Sequence, residues 1–243
     1  MSRAASPSPR AASRSSARAS WSSSPSRLRE ERMSRFLVVL DVDSTLIEDE
    51  VIELLAEEAG SLDAVADVTF RAMNGELDFA DSLRQRVATL AGLEEAAIDR
   101  VASRVRVTGG VPELIAAVQG AGGLVAVVSG GFHEVIDPLA ARLGLDHWRA
   151  NRLEVAGGRL TGGVIPPIVD ATAKADALRE WAGAAGIPLH QTLAVGDGAN
   201  DLPMMALCGL SIGFDAKAPV RDVADVLLDD RDLSRLLPLM GLR

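Results

Sequence analysis

Asp41 and Asp43 stand two residues apart in Asp41-Val42-Asp43-Ser44-Thr45, directly after the apolar run Phe36-Leu37-Val38-Val39-Leu40. Residues two apart on an extended chain point the same way, so both carboxylates can serve one site. A cation or a shared proton must relieve their repulsion there. Such a pair suits phosphoryl chemistry: one carboxylate attacks phosphorus and its neighbour moves a proton. Three more places put polar residues at a strand end or a helix start. They are Ser129, Lys174 and the Asp197/Asp201 pair of Gly196-Asp197-Gly198-Ala199-Asn200-Asp201. Each alone is a weak signal. A Ser after a strand is usually a turn residue, a lone Lys on a helix is usually solvated, and Gly-Asp-Gly is usually a turn. The ordered set is more specific, because one crevice at the carboxyl ends of parallel strands can collect all four.

The elements that must position these groups follow from hydrophobic pattern. Residues 36–40 read as a buried strand: short, continuous and branched. The pattern then turns helical. Residues 48–60 carry Val51, Leu54, Leu55 and Ala59 on one side, with Gly60 as a stop. Helical periods continue over 62–73, 79–91 and 94–105. Gly109-Gly110 followed by Val111-Pro112-Glu113 marks a return loop and a helix start. A strand over 124–128 ends at Ser129, and a helix covers 132–143. Residues 153–155 and 160–164 form a hairpin around Gly157-Gly158. A helix over 173–184 holds Lys174 in its first turn. Strands at 192–195, 210–213 and 226–228 and a closing helix at 233–240 complete the chain. Alternating strands and helices predict an α/β fold with a doubly wound, mainly parallel sheet. The helical interruption predicts an inserted cap over 48–106, with the catalytic core over 34–47 and 107–243.

Composition narrows the function classes. Hydrophobic residues make up 48 % of the 243, enough for a sizeable core. No apolar run approaches a membrane span. The single Cys excludes an internal disulfide and fits a reducing compartment, hence the cytoplasm. Cys208 reads as core packing. Three scattered His and one Cys give no zinc spacing. The first 32 residues carry +5, seven Arg against two Glu, in a chain of net charge −9, which leaves −14 on the rest. So acidic a body argues against nucleic acid as a partner. The basic segment itself is rich in Ser, Arg, Ala and Pro and has no apolar periodicity, so residues 1–33 are expected to be a disordered tail. Two readings of it stay open: an upstream extension with Met33 as the working start, or an Arg- and Ser-rich organelle transit peptide. Oligomeric state is not readable from the sequence.

The four chemical elements occur in the order found in the haloacid dehalogenase superfamily of aspartate-nucleophile phosphatases, which the chain resembles from about Phe36 to its C-terminus. Within that superfamily it looks most like the branch acting on O-phospho-L-serine. The motifs are Val127-Val128-Ser129-Gly130-Gly131-Phe132, Ala150-Asn151-Arg152-Leu153 and Val195-Gly196-Asp197-Gly198-Ala199-Asn200-Asp201. In the cap they are Ala72-Met73-Asn74-Gly75, and Phe79 followed by Ser82-Leu83-Arg84-Gln85-Arg86-Val87. The small regulatory domain of some members has no counterpart among these motifs, so amino-acid feedback through it is not expected.

The resemblance implies a role for each residue. Asp41 would become the aspartyl-phosphate. Asp43 would protonate the leaving serine oxygen and then activate water. Mg²⁺ would be held by the Asp41 carboxylate, the Asp43 backbone carbonyl and Asp197, with Asp201 behind them or on a bound water. Few protein oxygens completed by water and phosphate suit Mg²⁺ over Ca²⁺. Ser129, the Gly130 N–H and Lys174 would bind phosphoryl oxygens, and Asn200 would assist in substrate binding. Glu50 would meet the substrate ammonium, Arg86 its carboxylate, and Met73 and Phe79 would wall the site. Helix arithmetic independently puts Arg86 on the apolar face with Leu83, Val87 and Leu90, unlike Arg84. His133 follows the Ser129 loop, but the mechanism needs no further base. The rivals are the same chemistry on another small phosphomonoester, phosphoryl transfer to an acceptor alcohol such as homoserine, and a receiver-type signalling domain. A receiver needs neither a cap nor a second Asp.

Overall fold

The computed structural model describes residues 35–73 and 76–243, with Met73 described by its backbone alone. The expectations for the first 34 residues, for Asn74-Gly75 and for the Met73 side chain fall outside the described residues.

Seven strands form one sheet in the order β4-β3-β2-β1-β5-β6-β7. They are β1 (Leu37–Leu40), β2 (Leu124–Phe132), β3 (His147–Ala156), β4 (Arg159–Ile165), β5 (Thr192–Gly196), β6 (Leu210–Phe214) and β7 (Val226–Leu228). All pairings are parallel except β3 with β4, which is antiparallel. Leu37 of β1 pairs with Leu124 of β2 on one side and Thr192 of β5 on the other. From β1 the chain builds outward through β2, β3 and β4, then returns to add β5, β6 and β7 on the opposite side. The order therefore reverses between β1 and β5, and the crevice at such a switch point is where α/β sheets bind ligands.

Side-chain alternation on β1 explains the layers. Val38 and Leu40 join one buried cluster, and Leu37 and Val39 join another. Both faces of the strand are covered, as a run of four consecutive aliphatics requires. The first cluster packs helices α5 (Val111–Gly120) and α6 (His133–Leu143) against the sheet, and the second packs α7 (Ala171–Ala184). Among the described residues, four helices lie between Ile47 and Val107: α1 (Val51–Ala59), α2 (Leu62–Met73), α3 (Phe79–Ala88) and α4 (Ala96–Arg104). Leu55, Leu83 and Val87 from these helices belong to the first cluster together with Val42 and Leu46. The two crossing segments pair with each other, through the Ile47–Val107 bridge and a Glu48 N–H donated to the Arg106 carbonyl at 2.9 Å. A second tie joins the far side, where Gly92 N–H donates to Leu160 O of β4 at 2.8 Å.

Local chemistry sets the ends of these elements. Asp78 caps α3 and Asp170 caps α7, each accepting at 2.8 Å from an amide three residues on. Gly60 ends α1 in the left-handed region at φ 67°, as its position predicts. Gly157 and Gly158 both have positive φ and form the two-residue turn between β3 and β4.

Several boundaries differ from expectation. β2 does not stop before Ser129 but runs through it to Phe132, with a register shift against β3 between Val128 and Phe132. β3 starts at His147, six residues early, because its first half pairs with β2 and only its second half forms the hairpin. The closing segment Leu233–Met240 is a 3-10 helix, with Pro238 inside it supplying no N–H. α3 ends at Ala88, and α4 starts at Ala96. Among the described residues no helix is long and apolar enough to cross a membrane.

Candidate active site

Asp41 is the first residue beyond β1, and its N–H donates to the Val195 carbonyl of β5 at 2.9 Å. That bond carries the chain directly over the switch-point crevice. A tight turn over Val42–Leu46 follows, closed by Ile47 N–H on the Val42 carbonyl at 3.0 Å. Ser44 reverses the chain at φ 58°, a conformation uncommon for a residue other than Gly. The turn brings Asp43 to the N-terminus of α1, where its Oδ1 accepts from Val51 N–H at 3.2 Å. It also lets Ser44 Oγ donate to Glu50 Oε1 at 2.8 Å. Glu50 sits at the N-cap of α1 but makes no capping bond.

Lys174 lies one turn into α7 and is fully buried. Its Nζ sits 2.7 Å from Asp41 Oδ1 and 2.8 Å from Asp201 Oδ1. Burial pulls its pKa down, but the two carboxylates outweigh that and raise it, so it stays cationic. Asp201 Oδ2 accepts from the Asp197 and Gly198 amides, both at 3.2 Å. Asp41, Asp197 and Asp201 each offer one buried oxygen within 4.8 Å of the others. Three such hard donors in one crevice fit a small oxygen-seeking cation. The Asp43 side chain stands outside that trio.

Electrostatics separate the two motif carboxylates. Burial pushes Asp41 up to about 7, Asp201 pushes the same way, and Lys174 opposes both. A cation on the Asp41 oxygens favours its charged form, which is the nucleophilic one. Asp43 is raised well above the carboxylate range by burial, then by Glu50 and Asp41. It is the partner suited to hold and deliver a proton.

Ser129 is fully buried in the β2 bulge, and its Oγ accepts from Gly131 N–H at 2.7 Å. A Cβ on Gly131 would stand 3.0 Å from both Asp43 Oδ2 and Ser129 Oγ, so those groups converge on its Cα. A Cβ on Gly130 would fall 2.8 Å from Phe79 Cζ, so the ring of α3 lies on the bulge. Arg86 is half-buried on α3. Burial lowers its pKa, against the fields of Glu50, Asp43 and Glu53. Arg86 and Glu50 therefore bring opposite charges to the Asp43 side of the crevice. Asn200 lies in the 3-10 turn Ala199–Asp201, half-buried beside Gly198. His133 is occupied: its Nε2 accepts from Ala150 N–H at 3.1 Å and its Nδ1 meets Asp137 Oδ1 at 2.6 Å. Cys208 is half-buried with its thiol pKa raised by burial, away from these groups.

One group in the site escaped sequence reasoning. Lys217 Nζ lies 2.8 Å from Asp197 Oδ2, and its N–H donates to the Asp197 carbonyl at 2.8 Å. Lys217 follows β6, so the rule that gathers ligand-binding groups at strand carboxyl ends applied to it as well.

Packing tolerance gives a test of the carboxylate arrangement. A Cβ on Gly196 would stand 2.3 Å from Asp201 Oδ2, an oxygen already fixed by two amides. Gly196→Ala is expected to cost about 1–3 kcal/mol of stability and to weaken cation binding. Gly183→Ala, in α7 with open space around it, is expected to be neutral or stabilising by up to about 1 kcal/mol. Urea midpoints of the two variants check the contrast.

Ser129 Oγ and both ring nitrogens of His133 are engaged in hydrogen bonds, and the groups that crowd this crevice as candidate nucleophiles are carboxylates. That is the chemistry of hydrolases that work through an acyl phosphate. The chain belongs to the haloacid dehalogenase-like hydrolase family, whose family model matches residues 38–206. It is 52 % identical over 211 residues to a phosphoserine phosphatase of Streptomyces coelicolor, covering 87 % of this chain and 52 % of that protein. It is 47 % identical over 204 residues to one of Streptococcus thermophilus, covering 84 % and 95 %. The chain thus spans about half the length of the first relative and nearly all of the second. A solved phospho-aspartyl intermediate analogue of a phosphoserine phosphatase superposes with TM-score 0.80 at 40 % identity, over 85 % of this chain and 99 % of that one.

Proposed function

We propose that the protein is a Mg²⁺-dependent phosphatase that hydrolyses O-phospho-L-serine to L-serine and phosphate, the last step of L-serine biosynthesis, in the cytoplasm. Residues 48–106 act as the cap, and 34–47 with 107–243 as the catalytic core. The observation that carries the substrate is that half-buried Arg86 on α3 and Glu50, held by Ser44 Oγ, bring opposite charges to the Asp43 side of the crevice. A cation and an anion there complement the carboxylate and ammonium of an amino acid, and an Arg fork binds a carboxylate bidentately. Phe79, and in this reading Met73, wall off the carbon skeleton. The names of the relatives support the same substrate.

Asp41 attacks phosphorus as the phosphorus–oxygen bond to serine breaks, and Asp43 gives its proton to the departing oxygen. Asp43 then takes a proton from the water that attacks phosphorus, and Asp41 leaves as a free carboxylate. Lys174, Ser129 and the Gly130 N–H hold the phosphoryl oxygens, with Asn200 beside them, where preorganised donors lower the barrier most. Asp41, the Asp43 carbonyl and Asp197 would hold Mg²⁺, with Asp201 supporting them. When bound, the ion supplies positive charge that offsets the phosphoryl oxygens.

Phosphate release from a panel of phosphomonoesters, with and without Mg²⁺, tests the substrate class. O-phospho-L-serine should lead, and release should require the metal. Arg86→Ala should cost about 10- to 150-fold in kcat/KM for phosphoserine. It should cost far less for phosphoethanolamine, which lacks the carboxylate. Glu50→Gln should show the complementary loss for substrates bearing the ammonium. Equal weakening of all substrates by both variants would reduce the assignment to a phosphatase of another substrate.

A further inference from the structure

We propose that Asn151 is a positioning residue that sets the phosphoryl-binding bulge and ties it to the segment leading into Lys174; this rests on the phosphatase reading above. Asn151 lies in β3 and is 1 % exposed. Its Nδ2 donates to the Gly130 carbonyl at 2.8 Å, and its Oδ1 accepts from Val169 N–H at 2.7 Å. A carbonyl on one side and an amide N–H on the other admit only this orientation of the side-chain amide.

The bulge explains why a side chain is needed. β2 and β3 pair in register at Val128–Arg149 and again at Phe132–Asn151. Four steps along β2 therefore match two along β3, and the surplus residues lose their ladder partners. The Gly130 carbonyl would otherwise be a half-buried acceptor without a protein donor, which is costly. Asn151 fills that role. The next amide in the same peptide plane, Gly131 N–H, donates to Ser129 Oγ at 2.7 Å. The Gly130–Gly131 peptide is thus held at both ends. Because Ser129 Oγ accepts there, its own hydroxyl proton remains free to be donated to a phosphoryl oxygen.

The other end of Asn151 reaches toward the second phosphoryl ligand. Val169 precedes Asp170, the cap of α7, and the Asp170 carbonyl accepts from Lys174 N–H at 3.0 Å. One amide thereby links the Ser129 bulge to the helix start that carries Lys174. Among the described residues, the Asn151 side chain bonds Gly130 and Val169 and no member of the Asp41, Asp197 and Asp201 trio.

The test uses the Mg²⁺-loaded full chain. Asn151→Asp keeps an acceptor for Val169 N–H and removes the donor to Gly130. Inorganic phosphate should inhibit it about 10- to 100-fold more weakly than it inhibits the unsubstituted protein. KM for phosphoserine should rise by a similar factor, and calorimetric Mg²⁺ affinity should stay within about twofold. In a Ser129→Ala background the same substitution should cost little more, because the two act on one unit. If the Asp variant folds poorly, Asn151→Ala in both backgrounds reads the same coupling. An unchanged phosphate inhibition constant and KM, with only a lower melting temperature, would make Asn151 purely structural and overturn the proposal. Full additivity with Ser129→Ala would do the same. Absence of phosphatase activity in the unsubstituted protein would instead remove the functional reading itself.

Discussion

Asp41→Asn is expected to abolish phosphate release and phosphoryl capture together, with a fall in kcat of more than about 10⁴-fold. The amide is isosteric, and its oxygen can still accept from Val42 N–H and Lys174 Nζ, both 2.7 Å from Oδ1 in the native site. The fold should therefore survive, and the melting temperature without metal should change little. What disappears is the negative charge. A neutral amide is not a competent nucleophile, and it takes one carboxylate from the trio that would hold the cation. Lys174 keeps only Asp201 as an anionic partner. Steady-state phosphate release, acid-quench trapping and calorimetric Mg²⁺ titration should all register the loss. Substantial activity in the folded variant would remove Asp41 from the mechanism.

Asp43→Asn is expected to divide the reaction. The amide oxygen can still accept from Val51 N–H, so the turn around Ser44 should persist. The proton that burial, Glu50 and Asp41 keep on the native carboxyl is gone. A substrate whose leaving group needs no proton, such as p-nitrophenyl phosphate, should still phosphorylate Asp41. Hydrolysis of that acyl phosphate should then slow by about 10²–10⁴-fold, because water has lost its base. Phosphoserine turnover should suffer in both steps, since the serine oxygen leaves poorly without protonation. A rapid-quench experiment should show a stoichiometric burst of p-nitrophenol followed by a slow phase. Equal loss of burst and slow phase would contradict this division of labour.

The parts of the site legible in the sequence were those that end or begin regular elements. The β1 run and the two Asp after it announce themselves, because a fully buried strand allows no carboxylate until its end. Lys174 and the Asp197–Asp201 loop could be placed because α7 and β5 have clean apolar patterns. The helical interruption stood out by period alone, and Arg86 could be put on the inner face of α3 by counting turns.

What stayed hidden depends on tertiary pairing. Ser129 reads as a residue after a strand, yet it sits inside a strand whose ladder is interrupted. The two Gly that permit that bulge look like an ordinary turn. The first half of β3, His147-Trp148-Arg149-Ala150-Asn151, has no polar–apolar alternation because both its faces are covered, His147 stacking on Trp181 of α7 and Trp148 donating to Asp137 of α6. Lys217 is one Lys among many on the surface until β6 brings it to Asp197. Pro238 argued against a regular closing helix, and the apolar period of the segment concealed that signal.

The most direct measurement is identification of the residue that carries the phosphoryl group. The Mg²⁺-loaded protein is mixed with saturating O-phospho-L-serine, quenched within milliseconds and reduced with borohydride, which converts an aspartyl phosphate to homoserine. Peptide mapping should find homoserine at position 41 only, dependent on both the substrate and the metal. Sustained phosphate release with position 41 unmodified and another residue labelled, or no phosphate release from O-phospho-L-serine at all, would contradict the account.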